Sequence, residues 1–197
     1  SPVHGTLVLG QIYPLLLVGL VAGWIAQRHG RLQLGYALFG ATVALKPSLA
    51  PILLLPAVLR RWPQLRAGIY GAAGATLLGV AVAGPGSAIG WLRIAFTEGV
   101  PNTVDNASIP GFAVRLAAAA GISPAIPQVA GLVLGATVLI GTLAWLGHRR
   151  ADVDPTGTAV WAVIAASLLC SPIAWHNYLM LLWPGMLILL ARGRTAT

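Results

Sequence analysis

The chain has 197 residues, of which 57% are hydrophobic and only 8% charged, with twelve Lys+Arg against four Asp+Glu and a formal net charge of +8. Mean hydropathy is +0.83, whereas a soluble domain carries about 25% charged residues. That balance excludes an ordinary soluble globular domain. The basic runs also lack the interleaved polar and aromatic residues of a nucleic-acid surface, so no nucleic-acid partner is expected.

In chain order, residues 7–26 form a first apolar segment, LVLGQIYPLLLVGLVAGWIA, long enough to span a bilayer. Gln11 and Pro14 stand at its start. A second apolar run, 32–59, is interrupted by Lys46-Pro47. Proline removes a backbone donor, and a lone lysine at mid-membrane is costly. The run is therefore expected to split into two short helices, 32–45 and 48–59, with Lys46 at their junction. A third segment, 67–84, is rich in small residues that let helices approach closely.

Residues 85–124 read as a long loop with short interfacial helices: 88–97, then the polar stretch VPNTVDNASIPG, then the amphipathic FAVRLAAAAG. A fourth segment, 125–147, carries Gly131-x-x-x-Gly135. The fifth is 158–170, and the sixth, 178–191, is expected to kink near Pro184. Cys170 is the only cysteine, which excludes an internal disulfide and a cysteine-based zinc cluster. The bias to Arg, Ala, Gly and Val suggests a GC-rich bacterial genome. The chain opens without Met and is read as the C-terminal portion of a longer polytopic protein, 1–197 forming one transmembrane helical domain.

The arginines fix a topology. Arg28/Arg31, Arg60/Arg61/Arg66, Arg149/Arg150 and Arg192/Arg194 account for nine of the twelve Lys+Arg. Lys and Arg gather on the cytoplasmic side of membrane proteins. If the 32–59 run folds back as a hairpin, all four clusters fall on one side. The opposite, external face then collects His4, Gln11, Lys46, Arg93, Glu98, Asp105, Asn106, Arg115, Trp175, His176, Asn177 and Tyr178. Polar groups at such a face are candidates for function.

These residues carry a family resemblance. The string GQIYPLLLVGLVAGWIAQRHGRLQLGYALFGATVALKP, a basic segment, DNASIPGFAVRLA and SPIAWHNYLMLLWP occur in that order. Together they resemble the C-terminal half of glycosyltransferase family 87, polyprenyl-phosphate-mannose-dependent mannosyltransferases of the bacterial cytoplasmic membrane with the GT-C fold. Two positions depart from the family pattern. Tyr13 stands where it is Asn-like, and Asn177 holds the place where its His is commoner, with His176 directly after Trp175.

The resemblance implies an all-α polytopic bundle of about six or seven membrane helices. It implies transfer of a hexose, mannose above all, from a polyprenyl-phosphate donor to a glycolipid or polysaccharide acceptor at the outer face. It also implies a catalytic Asp in a first external loop lying before Ser1.

On the residues themselves, His176 is an acid/base candidate, and Asp105 is a base or holds an ion. Lys46 and Arg115 suit a leaving phosphate. Gln11, Asn106, Ser108, Asn177 and Tyr178 are candidates for substrate contact. Each has a plainer reading: a snorkelling lysine, an interfacial arginine, an aromatic-belt histidine, a solvated loop acid, a structural turn at Asn106-Ala107-Ser108. No metal site is expected. A divalent cation is left open, with no residues that indicate it. Two other readings compete: a transporter or flippase built on broken helices, and a noncatalytic membrane scaffold.

Overall fold

A computed structural model describes residues 12–97, 99–151, 153–154 and 157–194. The described residues form helices joined by short irregular links, with no strand among them beyond one isolated β-bridge. Helix α1 is Tyr13–Arg28, with Pro14 in its first turn, where a missing N–H costs nothing. Helix α2 is Leu32–Leu45 and stops at Lys46. The expected second helix of that run is mostly a 3₁₀ segment, Pro47–Leu53, followed by the short α3, Leu54–Val58. Pro47, Pro51 and Pro56 each remove a donor from the 47–58 stretch, which accounts for the tighter winding.

Helix α4 is Trp62–Ala83, starting five residues earlier than expected, with Pro63 in its first turn. Gly84 at φ +82 turns the chain at once into α5, Pro85–Thr97. The expected loop is therefore helical from its first residue. After a polar link come α6, Ile109–Ala119, and α7, Ala125–His148. Then follow α8, Ala159–Cys170, a second 3₁₀ segment, His176–Leu182, and α9, Trp183–Arg194. Pro184 sits in the first turn of α9 rather than kinking a longer helix. Its missing N–H marks a boundary there.

Helices α4 and α7 are long and apolar enough to cross a membrane; the other apolar helices are shorter. At 1.5 Å per residue they reach about 33 and 36 Å. Only 6% of the apolar window of α4 is buried, against 22% for α7. Their outward rows, including Leu77, Leu78, Val82, Val129 and Val133, are exposed. Such surface suits a hydrocarbon solvent.

Helix directions follow from the contacts. Gly23 of α1 packs on Gly35 and Phe39 of α2, so these two helices form a hairpin. Gly68 and Gly71 of α4 meet α2 at Tyr36, Ala37 and Gly40. Farther along both helices, Ala75, Gly79 and Ala83 face Val43 and Leu45 across a cleft. Helices α2 and α4 are therefore parallel, and the segment from Pro47 to Leu59 must return to the Arg28 end. The hairpin expected from the arginine positions is the geometry observed.

Gly147 of α7 packs on Val58, Gly135 of α7 on Cys170, and Trp161 of α8 on Gly185 of α9. Helix α8 thus starts beside Arg149 and ends at the opposite end, and α9 runs back. The core between these layers is built from Leu16, Leu20, Phe39, Leu49, Ile52, Leu55, Ile164 and Leu181, all fully buried.

Candidate functional site

The polar face forms where two distant strings meet. Asn106 and Trp175 pair as an isolated antiparallel bridge. Around it the Ala107 N–H donates to the Ala174 carbonyl at 2.6 Å, and the His176 N–H to the Asp105 carbonyl at 2.9 Å. Asn106 itself is 0% exposed. Its Oδ1 accepts from the Ala174 N–H at 3.0 Å and the Ser108 hydroxyl at 2.9 Å. Its Nδ2 donates to the Pro172 carbonyl at 2.9 Å.

Ser108 is the N-cap of α6, its Oγ accepting from the Gly111 N–H at 3.0 Å. From α6, Arg115 reaches back, its Nη1 donating to the Thr103 carbonyl at 3.0 Å and to the Asn106 carbonyl. These three side chains form a clasp that fixes residues 103–108 to residues 172–176.

The clasp presents an acid/base pair. His176 Nδ1 lies 3.2 Å from Asp105 Oδ1, the two side chains 49% and 66% exposed. A carboxylate is an acceptor only, so the proton between them belongs on Nδ1. In the neutral ring Nε2 is then the acceptor, free to take a proton.

A second cluster sits on the same 3₁₀ segment. Tyr178, two residues after His176, is buried. The Lys46 Nζ lies 3.5 Å from its ring centroid, and Tyr13 meets it edge-on at 4.6 Å. That cation–π contact offsets part of the cost of taking the Lys46 ammonium out of water. No carboxylate pairs with Lys46 among the described residues. Asn177, also buried, has an Oδ1 with no donor among the described residues.

The structure places eight of the nine site residues expected from the sequence in two groups joined by the His176–Leu182 segment: Asp105, Asn106, Ser108, Arg115 and His176 in the clasp, Lys46 and Tyr178 in the second cluster, with Asn177 between them. The ninth, Gln11, lies outside the described residues, as do His4 and Glu98. Asn106 and Ser108 are placed differently from what substrate contact requires. Both are buried, with their polar atoms committed to the clasp.

Sequence reasoning overlooked Tyr13, which closes the Tyr178 cluster. Its signal was there, in the departure from the Asn-like position two residues after Gln11. It also overlooked Gly111, where a Cβ would come within 2.5 Å of the Asn106 side chain. Among the described residues, no group of three or more His, Cys, Asp or Glu side chains could hold a metal ion.

All these groups lie at the end of the bundle away from the arginine clusters. Lys46 ends α2, while Arg28 and Arg31 flank its start. Residues 172–176 follow the end of α8, while Arg149 precedes its start. A family model described as glycosyltransferase family 87 matches residues 1–172. No curated protein and no solved structure matches the chain.

Proposed function

The chain belongs to glycosyltransferase family 87, and we propose that it transfers a hexose, mannose above all, from a polyprenyl phosphate to a glycolipid or polysaccharide acceptor. Family and apolar helices make it a membrane glycosyltransferase. In this reading the fold is of the GT-C type, residues 85–124 lie outside, and transfer occurs at the outer face of the bacterial plasma membrane. The observation that carries the reading is the His176–Asp105 pair, held by the clasp at the end opposite the arginines.

Transfer breaks the bond between sugar C1 and the phosphate oxygen and joins C1 to an acceptor oxygen. The acceptor hydroxyl must lose its proton as C1 acquires oxocarbenium character. Among the described residues His176 Nε2 is the group placed to take that proton, beside the Asp that the resemblance implies before Ser1, while Asp105 fixes the Nδ1–H tautomer and stabilises the imidazolium that forms. The leaving phosphate needs positive charge more than a proton. Lys46 supplies it, and Arg115 has hydrogens on Nη2 and Nε to offer beyond the two bonds made by Nη1. Gln11 offers an amide to a sugar hydroxyl, while Asn177, whose Oδ1 is buried, acts as a positioning residue beside His176 and Tyr178. Tyr178 sets the position of Lys46. Asn106 and Ser108 act as positioning residues, through the backbone they hold.

The test uses membranes carrying the full-length protein and labelled polyprenyl-phosphate mannose. Transfer to an endogenous lipid or polysaccharide is expected. His176→Ala should lower the rate by about 10²–10⁴, the range for loss of a general base. Absence of transfer from any polyprenyl-phosphate sugar overturns the reaction class. Undiminished transfer by both His176→Ala and Lys46→Ala overturns the site.

A further inference from the structure

The arginine end of the bundle holds a second constellation that the transfer reaction does not use. Helices α7, α8 and α9 diverge there and leave a groove of about 570 Å³. Its walls are apolar: Trp145 and Leu146 from α7, Ala162 and Ala165 from α8, Met186 and Leu189 from α9. Arg149, which follows the last residue of α7, lines the mouth, its guanidinium carbon 5.2 Å from the Trp145 ring centroid. Arg150 follows it, and both are exposed. Asp154 lines the same mouth and Asp152 follows Arg150 by two residues in the sequence, so the anion contact rests on the Arg149 guanidinium held beside Trp145 rather than on an excess of charge. Farther in, Trp161 lines the groove. Its indole N–H is buried and has no acceptor among the described residues.

A buried donor without an acceptor points to a partner. The groove asks for three chemistries in order: an anion at the mouth, a hydrogen-bond acceptor below it, and a hydrocarbon chain beyond. Arginine recognises a phosphate through paired N–H donors. An ester carbonyl accepts from an indole N–H, and an acyl chain fills an apolar cleft between helices. Basic pockets between membrane helices bind anionic lipid headgroups by this logic.

We propose that the groove between α7, α8 and α9 is a binding site for an anionic phospholipid, with its phosphate on Arg149 and one acyl chain along Ala162 and Ala165. Since it lies at the far end of the bundle from Lys46 and His176, the bound lipid is a resident ligand rather than the sugar donor.

Native mass spectrometry of the purified full-length protein in detergent tests this. The protein is titrated with phosphatidylglycerol, with phosphatidylcholine of the same acyl chains, and with inorganic phosphate. Phosphatidylglycerol should be retained about fivefold better than phosphatidylcholine, the preference expected of one arginine at an anionic headgroup. Inorganic phosphate should not be retained. Arg149→Gln should abolish the preference while leaving phosphatidylcholine retention unchanged. Ala162→Phe, a substitution at an exposed helix position that fills the groove, should remove both lipids without lowering the melting temperature.

Equal retention of the two lipids by the unmodified protein overturns the proposal. Phosphatidylglycerol retention that neither variant alters overturns it too. Retention of inorganic phosphate as firm as that of phosphatidylglycerol would make the site one for a bare anion. No lipid retained, together with a lower melting temperature for Ala162→Phe, would mean that another segment of the protein fills the groove.

Discussion

At the scale of single residues, the site depends on one buried amide. Asn106 joins the Pro172 carbonyl and the Ala174 N–H, 66 and 68 residues away, to the Ser108 hydroxyl two residues on. Asn106→Ala should cost about 3 kcal/mol, because the buried Ala174 N–H and Pro172 carbonyl lose their partners together. Gly111→Ala should destabilise through the same amide, by about 1–3 kcal/mol, since the added methyl would press on the Asn106 side chain. Both should appear as lowered melting temperatures in detergent, with transfer falling in parallel. His176→Ala should behave differently. Its side chain is half-exposed, so the melting temperature should hold within the error while the rate collapses. A stability loss as large for His176→Ala as for Asn106→Ala would make His176 part of the clasp. The sequence showed Asn106-Ala107-Ser108 as a turn beside polar candidates. It did not show the partners, because they are the carbonyl of Pro172 and the N–H of Ala174, groups every residue has. Hence two residues read as substrate contacts turn out to hold the backbone.

At the scale of helices, proline and glycine decide how segments begin, break and approach. Lys46-Pro47 announced a break in the second apolar run, and the break is there. The winding of the next stretch was less legible. It follows from three prolines acting together on one short segment, rather than from apolar periodicity. Small residues were legible as a tendency, but their partners were not. Gly131 and Gly135 stand four residues apart in the sequence, and they meet Pro110 on α6 and Cys170 on α8 respectively. The closest approach is between α2 and α4, where Gly40 faces the Gly68 carbonyl and Gly71 faces the Ala37 carbonyl. A methyl at either position has only rigid backbone to push against. Gly40→Ala and Gly71→Ala should each lower the melting temperature, by about 1–3 kcal/mol of stability. Gly74→Ala is the control on the same helix. A Cβ there meets nothing within 4 Å, so the helix propensity of alanine should make it neutral or stabilising by up to about 1 kcal/mol. Equal losses at all three positions would mean that α4 does not lie on α2 in this way.

At the scale of the whole molecule, charge and chemistry occupy opposite ends. The first, second and third arginine clusters flank the ends of α1, α3 and α7, and α9 runs to the same end with Arg192 and Arg194. Everything assigned to transfer among the described residues lies at the other end. That polarity was readable in outline, because a hairpin at Lys46-Pro47 is the arrangement that brings Arg60 back to Arg28. Its orientation in a membrane follows if the arginines face the cytoplasm. The test needs one reporter at each end. Val104 is 88% exposed and adjoins Asp105. Ala151 is exposed and adjoins Arg150. With Cys170 replaced by serine, a membrane-impermeant maleimide applied to intact cells should label Val104→Cys and not Ala151→Cys, until the membrane is permeabilised. Labelling of Ala151→Cys alone in intact cells would invert the orientation and place transfer at the cytoplasmic face. Labelling of both would separate ends that the helix contacts join through the bundle, and would remove the basis for reading the arginines as its anchor. Val104 is a better reporter of this end than the residues of the clasp. Ser108 is buried against Asn106, so a cysteine there would report packing rather than side.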